Sequence, residues 1–191
     1  MVGSIFFVLV FLVDGATRPG YTASYQPVSA LALGSRGWIQ TSNFVITGSL
    51  MTAAALGAWQ TTQSVVASAL LAVFGLSLVA SGVFPMGLTR GYPPGTSPDT
   101  PPNLSTRHRL HDFFGVLVFT SLPASCIAFG LSLSDTSWAV YSFATATVLI
   151  LLFLVFAAAS ERDSGLAGLI QRSMILVGWT WIAILCLDLM R

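Results

Sequence analysis

Long apolar runs, separated by polar connections, set the pattern of this chain. Five of them, 44–59, 65–85, 113–131, 138–158 and 166–187, are long enough or nearly so to cross a hydrocarbon core of ~30 Å at ~1.5 Å per helical residue. The run at 44–59 is the shortest, and it extends through Gln60 or starts near Ile39. A sixth run, Ser4 to Val13, reaches Ala16 only by carrying Asp14. No basic residue precedes it and no small-x-small cleavage site follows, so it reads as a shortened first span rather than a signal peptide, with the start lying inside a longer helix. The period-two alternation of a membrane barrel is absent. The pattern predicts an all-α integral membrane bundle of about six transmembrane helices. It forms a single membrane domain over 1–191, with spans near 3–17, 43–60, 65–85, 112–131, 138–158 and 166–188.

Two long polar connections interrupt the runs, and with six spans both fall on one side. The first, 15–43, holds Arg18, Tyr21, Tyr25, Arg36, Trp38 and Asn43. Within it, Pro27 to Gly34 is apolar but too short to cross, and reads as an interfacial or re-entrant segment. The second, 86–111, contains Gly91-Tyr-Pro-Pro-Gly95 and five of the nine prolines, which favours an extended, turn-rich loop.

Composition changes the picture by excluding water as the solvent. Only 8% of residues are charged, against about 25% in a soluble domain, and mean hydropathy is +0.81. The bilayer is therefore the expected partner. A net charge of +1 gives no field for nucleic acid, so none is expected. Cys126 and Cys186 lie in separate apolar runs and read as small core hydrophobes rather than a disulfide framework. Charge is lopsided. Arg18, Arg36, Arg90, Arg107, Arg109 and Arg162 belong to the long-loop side, with Arg172 just inside the last span, and only Arg191 belongs to the other. The positive-inside rule then predicts cytosolic long loops. Asp14, Asp99, Asp112, Glu161, Asp163, His108 and His111 share that side, against Asp135 and Asp188 opposite.

Candidate chemistry therefore collects at one end. His108-Arg-Leu-His111-Asp112 directly precedes an apolar run, and Ser105 or Thr106 is placed to cap a helix beginning there. A spacing of three puts both imidazoles on one helical face. Histidine serves as acid or base near neutral pH, and ionisable groups at membrane depth are functional candidates. The competing reading is interfacial anchoring and helix-end charge. The candidate catalytic groups are His108, His111, Asp112, Asp14 and Glu161. A zinc site would need one of these carboxylates beside the two histidines, so no metal is expected. Arg172, Tyr25, Trp38 and Asn43 are the candidate substrate contacts. Arg172 either snorkels to the interface or pairs with Asp14, Asp112 or Glu161. Pro123 interrupts the fourth span, where a kink would open a cavity. Gly75, Ser77, Ser81 and Gly82 form a small-residue face suited to helix packing.

Gly20-Tyr21, Pro27-Val-Ser-Ala-Leu-Ala-Leu-Gly34, Gly37-Trp-Ile-Gln40, Asn43-Phe-Val-Ile-Thr-Gly48, Ser81-Gly-Val-Phe-Pro85, Gly91-Tyr-Pro-Pro-Gly95, His111-Asp112, Tyr141-Ser and Gly165-Leu-Ala-Gly-Leu-Ile-Gln-Arg172 occur in this order. Together they resemble the family catalogued as domain of unknown function 998, over nearly the whole chain. The resemblance implies a small multi-span membrane protein and assigns no activity. Relatives commonly carry a histidine ahead of the Pro-Val-Ser segment, where this chain has Gln26.

Phosphate loops, dinucleotide fingerprints and nucleophile elbows are absent from the sequence. The expected function is a membrane-embedded enzyme that acts on a lipophilic small molecule by cofactor-free acid/base chemistry. Epoxide hydrolysis or cyclisation in secondary metabolism fits. The alternatives are a small-molecule transporter or channel, or a non-catalytic scaffold.

Overall fold

The computed structural model describes residues 1–97 and 104–190; Pro98, Asp99, Pro101, Pro102 and Arg191 lie outside them. Among the described residues six α-helices alternate in direction: α1 (Val2–Ala16), α2 (Gly37–Thr62), α3 (Val65–Val83), α4 (Thr106–Ser132), α5 (Thr136–Glu161) and α6 (Ala167–Asp188). A short 3-10 helix, Val28–Ala32, lies in the first long loop. Among the described residues four helices, α3 to α6, are long and apolar enough to cross a membrane. Helix α1 has 15 residues. At 26 residues α2 is long enough, but Gln40, Thr41, Ser42 and Asn43 make its first turns polar. This all-helical bundle is a multi-pass membrane protein. Leu151, Leu154 and Val155 stand exposed along α5, an arrangement that lipid tolerates and water does not.

Helix ends follow local chemistry. Ser105 caps α4 by accepting from the His108 amide at 3.2 Å, and Asp135 caps α5 by accepting from Ser137 and Trp138. Helices α2 and α3 approach at their glycines. A Cβ on Gly48 would stand 2.6 Å from the Gly75 carbonyl oxygen, and one on Gly75 would stand 2.7 Å from that of Gly48. The small-residue face of α3 is thus a packing face.

The short apolar segment of the first loop packs inside protein. Val28, Ala30 and Leu31 are buried in protein, closing the loop end of the bundle against α1, α2 and α6. The second loop docks on the first. Gly20 and Gly34, both at positive φ (69° and 74°), lie against Pro94 and Pro93, and Tyr21 meets Tyr92 edge to face at 5.4 Å. Only glycine combines that backbone with so close a proline.

Candidate functional site

The polar groups at the loop end divide into two sets: those that lock the loops together and those that face open space. The first set is large. Asp14, only 2% exposed, accepts from Arg18 at 2.5 Å and from Arg36 at 2.6 Å. Arg18 also donates to the carbonyls of Leu31, Leu33 and Arg36, and Arg36 to that of Thr17. Asp14 is therefore a clasp of the first loop. Arg90 reaches the carbonyls of Tyr25 and Ser160, lies 3.2 Å from Asp163 and stacks over the Tyr25 ring. The Tyr25 hydroxyl donates to Asp163 at 2.8 Å. These contacts bind both loops to the turn between α5 and α6. Gln26 accepts from the Thr22 amide and donates to the Arg90 carbonyl, so in this chain that position joins the two loops.

Arg172 corrects both expectations for it. It neither snorkels nor meets a carboxylate. It is buried, and its guanidinium donates to the carbonyls of Ala23, Gln26 and Gly168 and to the Tyr21 hydroxyl. It also lies near the faces of Phe11 and Tyr21. Carbonyl oxygens can satisfy a guanidinium as a carboxylate does, provided the backbone is irregular enough to aim them. Tyr21 in turn donates to the Pro27 carbonyl at 3.0 Å. Burial pushes its phenol above the ordinary value, with Arg172 pulling the other way, which keeps the donating proton in place. Gly168 permits the approach, since a Cβ there would stand 2.5 Å from the Gln26 carbonyl oxygen.

Other candidates are structural by placement. The Asn43 amide donates to the Phe7 carbonyl at 3.1 Å and joins α1 to α2. Trp38 is 68% exposed at the start of α2, where an interfacial anchor belongs. Glu161 ends α5 and is exposed, beside Ser160 at the rim of the space described next.

That space has two chambers. The outer, about 300 Å³, is lined by Pro27, Arg90, Asp112, Val116, Phe153 and Ser160, among others. The inner, about 70 Å³, runs between the helices past Phe44, Phe74, Leu122, Pro123, Leu149 and Trp179. Ser29, His111, Gly115, Phe119 and Gln171 line both, so they form the neck between them. Pro123 removes one bond from α4, and α4 continues through it as the wall of the inner chamber.

His111 is the one ionisable group of the neck. Its Nδ1 lies 2.9 Å from the Phe84 carbonyl oxygen and 3.2 Å from that of Ser81. Carbonyls only accept, so Nδ1 carries the proton, and the neutral ring has its lone pair on Nε2. The same bond caps the end of α3, whose last carbonyls lack helical partners. Among the described residues Nε2 has no protein partner. His108 turns the same way, packing against Gly87, with Nε2 3.5 Å from Asp112 Oδ1. Asp112 is half exposed at the outer rim. Among the described residues no three His, Cys, Asp or Glu side chains gather as a metal site requires.

The structure thus brings His111 and Asp112 to the chambers, with His108 beside Asp112 but lining neither, places Asp14, Arg172, Tyr25 and Asn43 in contacts between loops and helices, and leaves Trp38 on the exposed start of α2. Sequence reasoning missed Gln171 and Ser29. Gln171 was legible in principle: Met174, Ile175, Gly178 and Trp179 follow it at helical spacing and are buried, which marks it as inward-facing.

No curated protein and no solved structure matches the chain. The family model described as Protein of unknown function (DUF998) matches residues 1–188, and the chain belongs to that family.

Proposed function

We propose that this protein is a membrane-embedded enzyme acting on a lipophilic small molecule by acid/base chemistry at the loop end of its bundle. The observation that supports it is His111, an almost buried imidazole whose Nδ1–H is held by carbonyls and whose Nε2 is left to the neck between an apolar chamber and a polar mouth. The substrate's apolar part enters the inner chamber, and its reacting group stays at the neck. His111 and Asp112 supply the two proton-transfer groups, with His108 holding Asp112.

An epoxide on a polyketide or isoprenoid skeleton, of the kind made in secondary metabolism, suits this pair. One group protonates the epoxide oxygen as its C–O bond breaks. The other takes the proton of a water or an internal hydroxyl as its oxygen bonds to that carbon. Water gives a diol and an internal hydroxyl gives a ring. The reading needs no cofactor and no nucleic acid; the bilayer and the substrate are the partners. Six loop-side arginines favour an orientation with the long loops in the cytosol, from which the outer chamber is entered.

Membranes containing the protein, incubated with candidate epoxides, test the reading. His111→Ala and Asp112→Asn should each lower turnover by about a hundredfold. Turnover unchanged in both variants refutes it. The depth of the inner chamber favours carriage as the second reading, and flux into liposomes of a chemically unaltered solute would decide for that.

A further inference from the structure

Gln171 is 6% exposed, and only half of its amide is used. Its Oε1 accepts from the Val28 amide at 2.7 Å, and since a backbone N–H can bond only to oxygen, this fixes which end of the side chain is which. Its Nε2 therefore carries two N–H donors at the neck, and among the described residues they meet no protein acceptor. Across the same neck His111 offers the lone pair of Nε2. Ser29, also at the neck, has a hydroxyl without a protein partner among the described residues. A donor and an acceptor, both without a protein partner among the described residues, face one space above an apolar chamber.

No free positive charge joins them, and the acidic Asp112 stands at the outer rim. The guanidinium of Arg90 is committed to Tyr25, Ser160 and Asp163, and that of Arg172 to three carbonyls and Tyr21. An anionic head group would lose its water here without a counter-cation and beside an acidic side chain. A hydroxyl is the simplest uncharged group that uses both sides, donating to His111 and accepting from Gln171. Below the neck the inner chamber holds about 70 Å³, which suits a short apolar chain.

We infer that the neck selects a neutral, hydroxyl-bearing head group on a short apolar chain, with Gln171 as the donor that positions it. The inference deepens the enzyme reading and rests on it for the catalytic role of His111. The binding it describes is measured separately.

Trp179, a wall of the inner chamber, supplies the signal. The full chain in lipid nanodiscs is titrated with terminally brominated butanol, the matching bromobutane and the matching brominated butanoic acid. Fluorescence quenching is compared with that of Trp179→Phe, which removes the contribution of chains dissolved in lipid near the exposed tryptophans. The alcohol should quench Trp179 saturably, at a concentration about tenfold lower than either the alkane or the acid, as expected for a buried hydrogen bond. Gln171→Leu should erase the preference for the alcohol over the alkane. Because that variant also takes the partner of the Val28 amide, the ligand series on the unaltered protein decides. Equal quenching by alcohol and alkane, acid equal to or better than alcohol, or no quenching assignable to Trp179 each overturns the inference. Preference for the alcohol without turnover of any substrate leaves the inference standing and removes the catalytic reading.

Discussion

Asp14 holds two guanidinium groups of very different exposure, and the difference predicts how each bond will matter. Arg18 is buried with it, whereas the Arg36 side chain is 39% exposed. Asp14→Asn leaves the Arg18 charge buried without its carboxylate and should cost about 3–5 kcal/mol. Arg36→Gln breaks a bond that solvent already screens and should cost about 0–1 kcal/mol. Thermal unfolding in nanodiscs checks the pair, and equal losses would contradict this ranking. An acid after nine apolar residues announces itself in the sequence as a buried group or a helix stop. Its second partner lies 22 residues on, past a loop whose path no local pattern encodes. Arg172 was less legible still. Its cage is made of main-chain oxygens from Ala23 and Gln26, and every residue has such an oxygen.

At the scale of helices, the contact most sensitive to volume is the crossing of α2 and α3. Gly48→Ala would drive a Cβ into the Gly75 carbonyl oxygen and the Val79 amide nitrogen, backbone atoms of α3 that cannot swing aside. The expected loss is about 1–3 kcal/mol with the helices forced apart. The same change at Gly57, which faces open space, should leave stability unchanged or slightly raised. Comparing the two melting temperatures is the measurement. The small residues of α3 signalled this face, while their partner on α2 was hidden among threonines and serines. The start of α2 was hidden too. Gln40 and Asn43 read as loop because they are polar, yet they are buried, and Asn43 bonds the backbone of α1. By contrast the start of α4 was plain, because Ser105 caps it with its own side chain.

Across the whole molecule, both long loops, the α5–α6 turn and the start of α4 gather at one end, and the proposed orientation makes that end cytosolic. Cysteines at Thr22 and Thr106, in a Cys186→Ser background, should react with an impermeant maleimide only after cells are opened. A cysteine at Thr61, at the far end, should react in intact cells. The reverse pattern would invert the orientation. The His111-Asp112 half of the candidate site was legible because charged groups abutting an apolar run are conspicuous. The Gln171 half was not, since an amide beside an arginine attracts no notice until α6 is seen to turn it inward.

The cage around Arg172 also sets an order of events during synthesis. The carbonyls it bonds belong to residues up to 149 positions earlier in the chain. At about 5–20 residues per second, the ribosome needs roughly 7–30 s to travel from one to the other. Through that interval the first loop has emerged without the group that organises it, and its carbonyls and the Val28 amide must rely on water. The Arg172 cage and the chamber walls that α6 supplies therefore form only after the sixth helix has been made.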